Sequence, residues 1–143
     1  MVVPQRLVMP IRKAQDTILI CPAVVSQAAA VGAMAAGRNY CRGWLGEMSN
    51  VRSMVLEQLA AIASYCAVPA TQGAFYFLLR IDTSKDPMSI VEQLVRDFGV
   101  AAIPGGTFGM TRGCYLRISY GALSKQSVEE GIGRLVNGLN TIV

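Results

Sequence analysis

The sequence predicts an α+β fold: a helical N-terminal half ending in a long connecting helix, then a small sheet covered by helices. Three observations predict it. One apolar stripe at steps of three or four residues runs from Trp44 to Cys66. A nearly continuous aromatic and branched run, A-F-Y-F-L-L-R-I, follows at Ala74–Ile81. Beyond it, short strand and helix signals alternate to the end of the chain. The halves divide as residues 1–69 and 70–143, with no internal repeat, linker or low-complexity segment.

Taken in order, residues 4–15 form a short helix, with Pro4 at its first turn and Leu7, Val8 and Ile11 on one side. Pro10 argues against a long one, because it removes a backbone donor. Asp16–Pro22 reads as an extended connection. Ser26–Ala36 is rich in alanine, the best helix former, and Gly37 is a natural stop. The clearest helix spans about Tyr40 to Cys66, with Trp44, Met48, Val51, Val55, Leu59, Ile62 and Cys66 as its stripe. It would be roughly 40 Å long at 1.5 Å per residue.

Ala74–Ile81 has the composition of a strand covered on both faces. Asp86-Pro87 opens the next helix with a cap followed by proline at the first position. Ile90, Val91, Leu94, Val95 and Phe98 form its apolar face, and Gly99 ends it. Val100–Ile103 is a short strand stopped by Pro104-Gly105-Gly106, and Tyr115–Tyr120 is another. Ser124 caps the last helix, whose stripe is Val128, Ile132, Leu135, Val136 and Leu139. Gly131, Gly133 and Gly138 each weaken that helix by about 1 kcal/mol relative to alanine, so it needs tertiary support.

Composition excludes several functions. The chain has 143 residues, 52% of them hydrophobic and 15% charged, which rules out a disordered tail. It is apolar enough that some surface should meet another chain, a further domain or a membrane. The net charge is +4, but the basic residues are scattered singly apart from Arg12-Lys13, so nucleic-acid binding is not expected. Cys21, Cys41, Cys66 and Cys114 lie far apart and there is no histidine, which argues against a metal site and excludes the usual Ser or Cys triads. Cys66 and Cys114 read as buried free thiols of a reducing cytosol. The weakly hydrophobic stretch Ile18–Ala36, preceded by basic residues, resembles a signal peptide, but Asp16, Pro22, Ser26 and Gln27 count against export or insertion.

Few residues can carry chemistry. In C-Y-L-R-I-S-Y, strand alternation puts Tyr115, Arg117 and Ser119 on one face. A guanidinium among apolar neighbours must find an anion, and its fork suits a carboxylate. Arg117 is therefore a carboxylate-binding group, an arginine at a sheet edge, or one paired with Asp82 or Asp97. The glycine-rich run V-A-A-I-P-G-G-T-F-G at Val100–Gly109 either approaches a ligand closely or merely connects two strands. It is not a phosphate loop, since no lysine follows and a strand stands where a helix should begin. Lys13, Lys85 and Lys125 all sit in polar or turn-like contexts, unlike the desolvated lysine that a Schiff base needs.

The pieces G-A-F-Y at Gly73–Tyr76, V-A-A-I-P-G-G-T-F-G at Val100–Gly109 and Y-L-R-I-S-Y-G at Tyr115–Gly121 match one family in order and spacing. Together they resemble the end of the class I/II aminotransferases of pyridoxal-phosphate (PLP) fold type I. Arg52 stands where that family often has an arginine on its long helix. The resemblance implies that Arg117 binds the substrate α-carboxylate and that Phe75 lies near the active-site pocket. It makes residues 70–143 the small C-terminal domain and the long helix its connection to a large domain. The family's PLP lysine, the aspartate facing the pyridine nitrogen and the phosphate-binding groups belong to the large domain, and none has a match in this chain. Met1-Val2-Val3-Pro4 looks like the continuation of a G-x-R-x-G-Y segment, so Met1 is read as an internal methionine or the start of a truncated gene. The same reading removes the signal peptide and places the protein in the cytoplasm, off the membrane, as a homo-oligomer. The complete protein would use PLP to transfer an amino group between an amino acid and a 2-oxo acid. This chain alone is expected to hold no PLP and to be inactive. The alternative is a non-catalytic small-ligand-binding or oligomerisation module; a weaker one is an amino-acid-binding regulatory domain.

Overall fold

A computed structural model describes residues 2–143. The chain divides into two compact units, one ending at Gly43 and the other running Trp44–Val143.

The first unit is helical. Helix α1, Gln5–Ile18, is longer than the short helix expected. Pro10 lies inside it and forgoes one bond to the carbonyl four residues back without ending the helix. Asp16–Ile18 is thus helical rather than extended, and the Thr17 hydroxyl donates to the Lys13 carbonyl at 2.8 Å. The chain turns at Leu19–Cys21, where Ile20 takes a positive φ of 64°. Helix α2, Val24–Ala60, begins here and is broken at Gly37, whose backbone (φ 68°, ψ −168°) is a conformation essentially confined to glycine.

The second unit holds the core. It contains the end of α2, then strands β1 (Cys66–Ala67) and β2 (Tyr76–Ile81), helix α3 (Pro87–Phe98), strands β3 (Ile103–Pro104) and β4 (Cys114–Ser119), and helix α4 (Lys125–Ile142). The four strands form one antiparallel sheet in the order β1-β2-β4-β3. Helix α2 ends at Ala60, earlier than its stripe implied. The backbone tightens into i→i−3 bonds at Ala61–Ala63, and Cys66 enters β1. The stripe residues Val55, Leu59, Ile62 and Cys66 are nonetheless all buried.

Helix α3 starts as expected: the Asp86 side chain accepts from the Ser89 amide at 2.9 Å, and Gly99 closes the helix at φ 63°. Ser124 caps α4 by accepting from the Ser127 amide at 3.2 Å. Ile90, Val91 and Leu94 of α3 and Val128, Ile132, Leu135 and Leu139 of α4 join Phe77, Leu79 and Ile81 of β2 and Cys114, Leu116 and Ile118 of β4 in one core. β2 is therefore covered on one face, not both: Tyr76 and Arg80 are exposed and Leu78 only half-buried. The strand expected at Val100–Ile103 is reduced to Ile103–Pro104.

Candidate functional site

The uncovered face of the sheet carries Arg117. Along β4, Cys114, Leu116 and Ile118 point into the core, while Tyr115 and Arg117 are half-buried and Ser119 is exposed on the other face. Antiparallel register sets Tyr76 opposite Ser119 and Leu78 opposite Arg117 on one side, and Ile103 opposite Arg117 on the other. β4 is an inner strand, so Arg117 lies in the middle of the sheet rather than at its edge.

Neither acidic partner considered for it is engaged. Among the described residues the one ion pair joins Glu130 and Arg134 of α4 at 3.7 Å, and neither Asp82 nor Asp97 pairs with Arg117. Aromatic rings surround the guanidinium instead. Its carbon lies 4.6 Å from the Phe108 ring centre and 5.2 Å from that of Tyr76. Both separations suit a cation over a π face. Phe108 was not singled out as a site residue, although the F-G pair that contains it was part of the motif carrying the resemblance.

The glycine-rich run places Phe108. Gly105–Phe108 forms a 3-10 turn, closed by Gly109 at φ 83°. Gly105 is buried, and a Cβ there would stand 2.6 Å from the Cβ of Tyr115. The absent side chain thus lets the turn press against β4, which brings the next aromatic residue over Arg117. The run connects strands, and its close approach is to the protein's own β4.

Phe75 precedes β2 and is 50% exposed. Its ring meets that of Tyr76 edge-on with centres 5.9 Å apart, so it continues the aromatic row toward Arg117. A side chain at Gly121 would stand 2.6 Å from the Phe75 Cβ, which explains glycine after S-Y in the motif. The Phe75 carbonyl accepts from the Tyr120 amide at 2.9 Å. Tyr120 also donates its hydroxyl to the carbonyl of Ala74 at 3.1 Å, and Ala74 is itself a non-glycine residue held at φ 66°. Arg52 of α2 braces the same segment: it donates to the Thr71 carbonyl at 2.9 Å and lies 5.5 Å from the centre of the Phe77 ring. A cleft of about 380 Å³ opens between Met48, Arg52, Thr71–Ala74 and Tyr120, and neither Phe75 nor Arg117 lines it.

The remaining reactive groups do not join this face. Burial pushes the Cys66 thiol up to about 11. It also raises that of Cys114, with a smaller contribution from the negative charge of Asp86. Cys21 and Cys41 are exposed. No group of three or more His, Cys, Asp or Glu among the described residues could hold a metal. Lys13 and Lys125 are exposed. Lys85 is less free than its turn-like sequence implied, because its ammonium donates to the carbonyl of Ile142 at the end of α4, on the helix-covered side of the sheet. With Lys13 and Lys125 exposed and Lys85 held at the Ile142 carbonyl, none offers the desolvated amine that an imine to pyridoxal phosphate needs.

The family described as Aminotransferase class I and II matches residues 1–135. An aromatic aminotransferase of Arabidopsis thaliana is 30% identical over 132 residues, which cover 92% of this chain and 33% of the plant protein. A valine–pyruvate aminotransferase of Mycobacterium tuberculosis is 34% identical, covering 87% of this chain and 34% of its own length. The crystal structure of an aromatic aminotransferase from Pyrococcus horikoshii superposes on 98% of this chain with a TM-score of 0.79 at 27% identity, covering 38% of that enzyme. The chain thus spans about a third of the length of the curated relatives it matches. Among the described residues no helix is long and apolar enough to cross a membrane.

Proposed function

The chain belongs to the class I and II aminotransferase family, and we propose that it is the C-terminal, carboxylate-gripping portion of a PLP-dependent aminotransferase. Arg117 holds the α-carboxylate of an amino acid or 2-oxo acid, and Phe75 borders the same pocket. One observation carries this reading: a half-buried guanidinium on an open sheet face, between two aromatic rings and with no acid paired to it. A charge in that setting lacks its counter-ion, and a carboxylate fits the fork at two points.

In the family, PLP supplies the electron sink for amino-group transfer. This chain's own part is to bind and orient. Arg117 fixes the carboxylate end of the substrate, and Phe75, at the end of the segment that Arg52 and Tyr120 brace, sets one wall. Because Lys13 and Lys125 are exposed and Lys85 is tied to the Ile142 carbonyl, the chain alone is inferred to form no imine and to show no transaminase activity. Two measurements test the reading. Titration of the labelled chain with pyruvate should shift the Arg117 Nε–H signal, and Arg117→Gln should weaken binding roughly tenfold or more; unchanged affinity in the variant removes Arg117 from the site. Borohydride treatment in the presence of PLP should leave no adduct, and one trapped on Lys13, Lys85 or Lys125 overturns the inactive-alone part.

A second reading, a non-catalytic self-association module, has its own observation. The first unit exposes Ile18, Leu19, Ile20, Val24, Val25, Val31 and Met34, and α1 buries no residue. A single sedimenting oligomer favours this module, whereas concentration-dependent aggregation favours a portion of a larger enzyme.

A further inference from the structure

We propose that Phe108 and Tyr76 are positioning residues for the carboxylate grip, holding the Arg117 guanidinium by its π contacts so that only its edge is offered to a ligand. The inference rests on the carboxylate-binding reading of Arg117 and adds how that group is made ready. Three observations carry it. The rings come from opposite sides of β4: Tyr76 from β2 and Phe108 from the turn that follows β3. The cation therefore stands between two aromatic side chains. Neither ring is needed by the core, since Phe108 is 45% and Tyr76 42% exposed. Large apolar surfaces left open beside a charge stabilise little by burial, but they can fix the charge in place. Finally, the turn that carries Phe108 is held against β4 by Gly105, which leaves no room for a side chain.

The consequence is geometric. A long, flexible arginine loses side-chain entropy when it clamps a ligand. Rings over its faces impose that loss before the ligand arrives, and they favour in-plane, two-point contact at the edge. Phe108, the nearer ring, carries more of the effect than Tyr76.

The test replaces the ring without changing the arginine. In the full chain, Phe108→Leu should make the Arg117 Nε–H bond more mobile in nuclear spin relaxation and weaken pyruvate binding by about three- to fivefold. Phe108→Tyr should restore both. Trifluorophenylalanine at position 108 keeps the shape but weakens the π face, and it should behave like leucine. The melting temperature should stay within a few degrees in each variant, since the ring is not core. If the fluorinated ring behaves like phenylalanine, or Arg117 is as rigid in Phe108→Leu as in the parent, the proposal is overturned. Failure of the carboxylate reading looks different: the parent chain then binds no pyruvate, while the Arg117 mobility of the variants still decides whether the rings hold the guanidinium.

Discussion

The Cys66 thiol is 3% exposed, and burial has moved its ionisation from 9.0 to about 11. Its folded-state pKa is raised, so stability is complete below pH 9 and falls as the pH climbs toward 11, where only the unfolded chain has gained the thiolate. Cys114 and Tyr65, both raised by burial first, act in the same direction. The urea midpoint should therefore drop between pH 8 and pH 10.5, and Cys66→Ala should make that drop shallower; a parallel decline in the variant would exclude Cys66 as a source. Arg117 is the other telling residue. Alternation along its strand placed it with Tyr115 and Ser119, and the structure agrees. Its ring partners were not readable, because Phe108 reaches it only through the pairing of Ile103 with Arg117 and the turn that follows.

At the level of elements, helix α4 separates two kinds of glycine that propensity treats alike. A Cβ on Gly138 would lie 2.6 Å from Leu94 Cδ2 and 3.0 Å from the Phe98 ring, so this glycine lets α4 close on α3. A Cβ on Gly131 would meet nothing within 4 Å. Gly138→Ala should thus cost about 1–3 kcal/mol through overpacking, whereas Gly131→Ala should stabilise by up to about 1 kcal/mol. Urea unfolding of the two variants checks this, and the same sign for both would refute it. Other element boundaries were hidden for a related reason. The apolar stripe of α2 continues into Ile62 and Cys66, which are buried although the helix ends at Ala60. Periodicity reports which residues face the core, not which backbone conformation brings them there. Likewise the run at Ala74–Ile81 is apolar on both sides, yet only Phe77, Leu79 and Ile81 are buried.

For the whole molecule, every buried hydrophobic residue among those described lies between Val55 and Ile142, inside the second compact unit. A chain beginning at Trp44 should accordingly fold by itself, with the amide spectrum of Trp44–Val143 kept and a cooperative melt. Loss of dispersion in that spectrum would show that the core depends on the first unit. The compact units divide within α2, whose C-terminal half supplies Val55 and Leu59 to the core.

By itself the sequence determined the α+β class, the caps at Asp86 and Ser124, the break at Gly37, the inward faces of α4, β4 and, apart from the exposed Val95, α3, and the resemblance that led to the aminotransferases. All of these depend on spacing, propensity or short motifs, which are local properties of the chain. Only the tertiary structure decided that one face of β2 stays open, that Gly105, Gly121 and Gly138 are sites of close packing, and that Arg117 stands between Phe108 and Tyr76 with no acid beside it. These depend on which strands pair and what crosses them, and distant segments must meet before any such contact exists.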